Sequence, residues 1–416
     1  MSTTTAHGEN LKAEIMHKDF LKAGHLPTLF CAFLYFDISF MVWVILGPLG
    51  IQIAKTLALD PAHKGLMVAT PVLAGALLRV VNGILVDHIG PKRTGLLAQT
   101  IVIAGLAFMW WHGIHNFAEI LTIGGFLGMA GASFAVALPL ASRWYPPQHQ
   151  GTALGIAGAG NSGTVLASLF APALAVAFGW RSVIGLAVVP LLVVLVVFAI
   201  LAKDSPNRPA SKTLYAYFDV LKDGDAWWFM LLYSVTFGGF VGLASSLPIY
   251  YNDQYGLNPV IAGYCTAACV FAGSLMRPVG GALADRLGGI RVLTAVYTIA
   301  AVVLVVVSIG LPQLWMAVVA FITGMCALGM GNGAIFQLVP QRFGKEIGVM
   351  TGLVGMTGGV GGFYLASSLG YSKQLTGSYQ SAFLLFAGLA LLALIALTAI
   401  KRQWRMTWGA AASAAE

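Results

Sequence analysis

The chain has 416 residues, 58% of them hydrophobic and only 9% charged, with a mean hydropathy of +0.83. A soluble domain carries roughly 25% charged residues, so this composition excludes a water-soluble enzyme or binding module and defines an integral membrane protein. The net charge of +8 would suit a nucleic-acid partner only on a basic face of a soluble domain, and no segment supplies one.

Apolar runs able to cross a ~30 Å hydrocarbon core are predicted at 27–54, 64–87, 94–112, 118–141, 150–177 and 181–202. Six more follow at 226–250, 259–285, 291–311, 315–340, 346–372 and 380–400. The polar residues 1–26 read as a cytoplasmic tail with no apolar core of a cleavable leader. Residues 203–225, KDSPNRPASKTLYAYFDVLKDGD, form the longest charged connection. They read as a cytoplasmic linker between six-helix bundles at 27–202 and 226–400, and 401–416 as a second cytoplasmic tail. With both termini inside, seventeen lysines and arginines lie on the cytoplasmic side. Only Lys55, Lys64, Arg181 and Lys373 lie outside, as the positive-inside rule requires.

The second and eighth spans repeat one another. GALLRVVNGILVDHIGPKR (75–93) aligns with GSLMRPVGGALADRLGGIR (273–291) at a constant offset of 198 residues. Arg79 meets Arg277, Gly83 meets Gly281, Asp87 meets Asp285 and Gly90 meets Gly288. Parallel repeats of this kind are one plan of secondary transporters. Lys92, Arg93 and Arg291 complete the two loops.

At ~1.5 Å per residue, the eight residues from Arg79 to Asp87 span about 12 Å. Arg79 therefore lies near the bilayer midplane, and Arg277 at the same depth. A charge there costs from ~3 to more than 10 kcal/mol, so each arginine is expected to face a cavity and hold a partner. Fifteen acidic residues are available, yet only Asp37 falls deep inside a span rather than at its end. The balance of charge points to an anionic substrate. A guanidinium is planar and always charged, so two of them suit a small flat oxyanion.

The fifth and eleventh spans are rich in glycine: GTALGIAGAGNSG (151–163) holds Gly155, Gly158, Gly160 and Gly163, and GVMTGLVGMTGGVGG (348–362) holds Gly352, Gly355, Gly358 and Gly359. Small residues let helix backbones approach, which fits either close packing or helices that slide. Asn161 adds a polar amide at depth. Cys31, Cys265, Cys269 and Cys326 all lie within spans. Cys265 and Cys269 are one turn apart but have no histidine or carboxylate beside them, so they read as packing rather than a metal site. His88, His112 and His115 fall at helix ends, and no nucleophile motif points to an enzyme.

The pattern G-x-x-x-D-x-x-G-x-[KR]-[KR], complete at Gly83–Arg93 and partial at Gly281–Arg291, resembles the loop signature of the major facilitator superfamily. That resemblance implies an all-α membrane protein of twelve transmembrane helices, in two halves related by a pseudo-two-fold axis. It also implies a conformational latch at these loop residues. SRWYPPQHQGTALGIAGAGNSG (142–163) and GMGNGAIFQLVPQRFGKEIGVMTGLVGMTGGVGGF (329–363), with GALLR at 75–79 and LLYSVTFGGFVG (231–242), are similar to the nitrate/nitrite porter family. By that resemblance Arg79 and Arg277 clamp the anion, Tyr233 and Asn161 bond it, and Phe40 and Phe237 wall it, joined by Phe134 next to Ser133. It implies a monomer in the cell's inner membrane with nitrate or nitrite as substrate.

Asp37 lies three residues before Phe40 and so on the same helical face. It is the candidate for coupling transport to protons; an ion pair with Arg143 or a backbone cap is the competing role. Nitrate/nitrite antiport would need no such carboxylate. A facilitator for another small oxyanion, such as formate or oxalate, is the alternative substrate class.

Overall fold

Twelve helices long and apolar enough to cross a membrane run through the described part of the chain. The computed structural model describes residues 20, 22–206, 215, 219–343 and 346–406. Most of the amino-terminal tail, the middle of the 203–225 linker, Lys345 and residues 407–416 lie outside the described residues. The spans are α1 (Leu26–Leu57), α2 (Pro61–Ile89), α3 (Pro91–His112), α4 (Phe117–Ser142), α5 (Ala153–Phe178) and α6 (Trp180–Leu201). They continue as α7 (Gly224–Tyr255), α8 (Pro259–Leu287), α9 (Gly289–Ser308), α10 (Leu314–Arg342), α11 (Ile347–Thr376) and α12 (Gln380–Trp404). Many overrun the expected apolar windows, because capped polar turns extend the helices beyond the hydrocarbon-sized stretch.

The repeat seen in the sequence is built as a matched pair of helices. Both α2 and α8 have 29 residues and open on a proline at the first helical position, where the missing N–H costs nothing. Asp60 accepts from the His63 N–H at 2.8 Å and Asn258 from the Ile261 N–H at 3.0 Å. That N–H holds the Asp60 carboxyl below its ordinary range, keeping a negative charge at the helix start. The two helices end on Gly90 and Gly288, at φ 91° and 87°, a conformation glycine reaches without strain. Arg79 and Arg277 therefore stand at the same position along their helices.

Two helices break where the site will form. α1 is interrupted after Trp43, at Val44 and Ile45, before resuming at Leu46. α4 is interrupted between Gly131 and Phe134. There the Ala135 N–H bonds the Ala132 carbonyl at 3.1 Å, a tighter turn that leaves the Gly131 carbonyl for a side chain.

The first six and last six helices meet mainly through α2 with α11, α5 with α8, and α1 with α7. Opposite the linker, on the face termed far here, they pack backbone to backbone. A methyl added at Gly65 would sit 2.8 Å from Gly370 Cα, one at Gly47 2.5 Å from the Ser245 carbonyl, and one at Gly263 2.5 Å from the Ser168 carbonyl. Toward the linker face the helices part: a methyl at Gly155, Gly158 or Gly348 would meet nothing within 4 Å.

Candidate functional site

Arg79 is 1% exposed. Its Nε donates to the Gly131 carbonyl at 3.2 Å and its Nη1 to the Gly355 carbonyl at 2.5 Å. The first bond uses the acceptor freed by the α4 break. The second crosses to α11, where the missing side chain at position 355 exposes the backbone. Its Nη2 has no partner. The guanidinium carbon lies 4.9 Å from the Phe237 ring centroid, 5.2 Å from Trp43 and 5.5 Å from Phe134.

Arg277 is half-buried, with Nη1 buried and unpartnered. Its guanidinium carbon lies 5.7 Å from the Phe336 ring and 6.0 Å from Phe134. Phe134 thus faces both arginines. Tyr233 interacts electrostatically with both, and the two cations are close enough to repel one another. No described ion pair involves either arginine. Desolvated cations can be stabilised by ring faces, but rings leave the N–H donors unused.

The surrounding rings form a closed wall. Tyr233 stacks on Phe237 with centroids 5.2 Å apart and planes 7° apart, and Phe336 meets Tyr233 edge-on at 5.2 Å. Phe40 packs on Trp43 at 4.7 Å and on Phe36 at 4.2 Å; Phe36 reaches Phe134 at 5.8 Å. Gly358 leaves room for Tyr233 and Phe237, since a methyl there would sit 2.7 Å from the Tyr233 ring. Gly359 does the same against Ala76 at 2.7 Å, while Gly355 faces Arg79 Cδ at 3.6 Å. Gly352 is buried.

The other residues singled out from sequence have no described contact with either guanidinium. Asn161 is buried in a 3-10 turn, Ala159–Ser162, with its Oδ1 unpartnered. No described contact joins it to either arginine. Ser133 is buried at the α4 break with its hydroxyl unpartnered. Asp37 lies at the α1–α5 contact and accepts from the Ser162 hydroxyl at 2.7 Å. Gly160 and Gly163 allow that contact: a methyl at Gly163 would come 1.7 Å from the Asp37 carbonyl. Asp37 does not pair with Arg143, which instead bonds Asp87 at 2.8 Å.

Of the loop residues, the Lys92 N–H bonds Asp204 at 2.8 Å and its ammonium bonds the Ala199 carbonyl at 2.7 Å. Arg93, Asp285 and Arg291 are exposed. In the second half Arg342, at the end of α10, binds Asp223 and Asp225, both at 2.6 Å. Gly83 and Gly281 each lie six residues before the last residue of α2 and α8.

Trp43, Phe36 and Phe336 were not singled out from the sequence. A signal existed for Phe336: G-A-x-F occurs at Gly131–Phe134 and again at Gly333–Phe336, one copy in each half.

Twelve membrane-length helices, arginines at the same position in two matched helices and a wall of rings define a membrane carrier rather than an enzyme. The model of the Major Facilitator Superfamily matches residues 28–366, and the chain belongs to that superfamily. Its relatives fall in the nitrate/nitrite porter family. A nitrite extrusion protein of Bacillus subtilis is 32% identical over 88% of this chain and 92% of its own. A probable nitrate/nitrite transporter, NarK2, of Mycobacterium tuberculosis is 34% identical over 86% and 91%. A probable nitrate/nitrite antiporter, NarK1, of Thermus thermophilus is 31% identical over 87% and 88%. Among solved structures, a bacterial homologue of the human lysosomal transporter Spinster shares the fold, with a TM-score of 0.65 at 18% identity over 90% of this chain and 96% of that one.

Proposed function

We propose that the chain carries nitrate or nitrite across the cell's inner membrane by alternating access, with the anion held between Arg79 and Arg277. The observation that supports this most is the pair of guanidiniums, each with one buried, unpartnered nitrogen and neither paired to a carboxylate among the described residues. The names of the relatives support the choice of anion.

In this reading Arg79 Nη2 and Arg277 Nη1 donate to two oxygens of the planar anion, and the Tyr233 hydroxyl to another. Hydrogen bonds to charged groups contribute ~1.5–3 kcal/mol each. Phe40, Phe134 and Phe237 exclude water, which strengthens every charge interaction inside. One negative charge offsets the repulsion between the two cations and lets the halves close. An empty site resists closure, so movement requires substrate. The positive-inside rule assigns the linker face to the cytoplasm, with both termini inside. The closed far face and parted linker face then correspond to a site open inward.

Energy would come from protons taken up at Asp37 or from exchange of one anion for the other. No described contact joins Asp37 to either guanidinium, which favours exchange, since its proton would have to act on the anion through helix movement. Reconstituted protein under separately imposed pH and nitrite gradients decides between them. Accumulation driven by the pH gradient and lost in Asp37→Asn supports symport; accumulation driven only by trans nitrite supports exchange. If neither anion moves under either gradient, the transport reading fails.

A further inference from the structure

We infer that Trp43 is a positioning residue of the anion site: its indole face holds the Arg79 guanidinium, and its contact with Phe237 carries that position from α1 to α7. The inference deepens the reading above and rests on it.

Three independent contacts fix the indole. Trp43 is fully buried, and its Nε1 donates to the Pro71 carbonyl on α2 at 2.7 Å. Glycines on two other helices form its slot. A methyl at Gly75 would lie 2.9 Å from Nε1, and one at Gly131 2.3 Å. The slot's two walls are also the two supports of Arg79: Gly75 precedes it by one turn on α2, and Gly131 is the residue whose carbonyl accepts from its Nε. The indole therefore occupies the corner between the arginine's own helix and its backbone anchor.

From that corner it does two things. Its ring lies 5.2 Å from the Arg79 guanidinium carbon, on a cation that has no carboxylate partner among the described residues. Its plane is 13° from that of Phe237 with centroids 6.5 Å apart, and Phe237 stacks on Tyr233 at 7°. Three nearly parallel rings thus run from the Arg79 side to the tyrosine that interacts with Arg277. The first ring belongs to the first half and the other two to the second. A rotation of the indole would disturb Arg79 and the inter-half stack together.

The break in α1 just after Trp43 explains how a tryptophan reaches this place. The Val44 N–H bonds the Phe40 carbonyl at 3.3 Å to end the first segment. The helix restarts at Leu46, and Trp43, the last residue of the first segment, is fully buried against α2, α4 and α7.

The test uses full-length protein in proteoliposomes, with initial rates of nitrate uptake giving KM and Vmax per monodisperse protein. Trp43→Leu removes the ring face, and Trp43→Met does so with an unbranched chain of longer reach should the leucine variant fail to fold. Either is expected to raise KM about tenfold, with a smaller change in Vmax. Trp43→Phe keeps a face without the N–H, and is expected to restore KM to within about threefold of the wild type. A wild-type KM in the leucine or methionine variant overturns the inference. So does a phenylalanine variant as impaired in KM as the leucine one, because the indole would then act only as an anchor to Pro71. Absence of nitrate uptake by the wild type overturns the transport reading instead, and is seen before any variant is compared.

Discussion

Lys64 on α2 and Asp253 on α7 form an ion pair across the far face, with Nζ 3.1 Å from Oδ1 and 3.3 Å from Oδ2. Tyr379, at the start of α12, donates to the same carboxylate at 2.8 Å. The two side chains are 21% and 14% exposed, so solvent screening is partial and the pair is worth on the order of 1 kcal/mol. It joins the two halves where the far side must part for the site to open outward. Asp253→Asn should therefore shift the equilibrium about fivefold toward the outward-open form. The measurement is maleimide labelling of a cysteine placed at Ser246, which lines the groove beside Lys64, in protein lacking the four native cysteines. Labelling should accelerate in Asp253→Asn and return toward the original rate when Lys64→Asp is combined with Asp253→Lys. Unchanged labelling would remove this pair from the closure.

The loop signature occurs twice, but the structure arms it once. Asp87 is held by Arg143 at 2.8 Å, whereas Asp285 is exposed and Arg342 is committed to Asp223 and Asp225. The Trp404 indole also donates to Asp225, at 2.7 Å, so Arg342 serves to tie the ends of α7, α10 and α12. Asp87→Asn is accordingly expected to lower Vmax several-fold, and Asp285→Asn to leave it within about twofold. Uptake assays on the two single variants check this. Equal losses would mean that Asp285 gains a partner in another conformation.

The number of helices and the matched placement of the two arginines were legible in the sequence because hydrophobic length and a fixed 198-residue offset are one-dimensional properties. The aromatic wall was not. Phe36, Trp43 and Phe336 sit in apolar helices among many other rings, and composition does not distinguish a ring facing lipid from one facing the site. The same limit applied to Asp37. Its depth was evident, but its Ser162 partner is 125 residues away, and the cation weighed against it, Arg143, is engaged by Asp87. Lys64 and Asp253 read simply as outer-rim charges, since their meeting depends on how the halves lean together. The Arg79 anchors are backbone carbonyls, which no residue-type pattern can announce.

Glycines that look alike in sequence should differ sharply on substitution. A methyl at Gly163 would lie 1.7 Å from the Asp37 carbonyl, and one at Gly361 2.0 Å from the Ser234 carbonyl. Both neighbours are backbone and cannot swing aside. Gly163→Ala and Gly361→Ala should each cost ~3 kcal/mol or more, visible as lost monodispersity and a lower thermal midpoint. Gly155 meets nothing within 4 Å. Gly155→Ala should keep or raise the midpoint, because alanine improves helix propensity by up to ~1 kcal/mol. Lower transport in a fully stable Gly155→Ala variant would show that this open glycine is used when the linker face closes.

The two arginines, though twinned in position, are held differently, and conservative substitution should separate them. Arg79 has two donors fixed on the Gly131 and Gly355 carbonyls and lies against three rings. Arg277 is only half-buried and makes no described hydrogen bond to a backbone carbonyl. A lysine at 79 cannot satisfy both carbonyls and still aim a donor at the anion. Arg79→Lys should therefore lower stability by ~1–3 kcal/mol and also impair transport. A lysine at 277 strands no described backbone carbonyl, but it replaces a planar fork with a single ammonium. Arg277→Lys should keep the wild-type thermal midpoint while raising KM for nitrate tenfold or more. Thermal unfolding followed by tryptophan fluorescence, alongside uptake kinetics, separates the two effects. Equal loss of stability in both variants would contradict the anchored-and-free distinction, and wild-type KM in both would end the clamp.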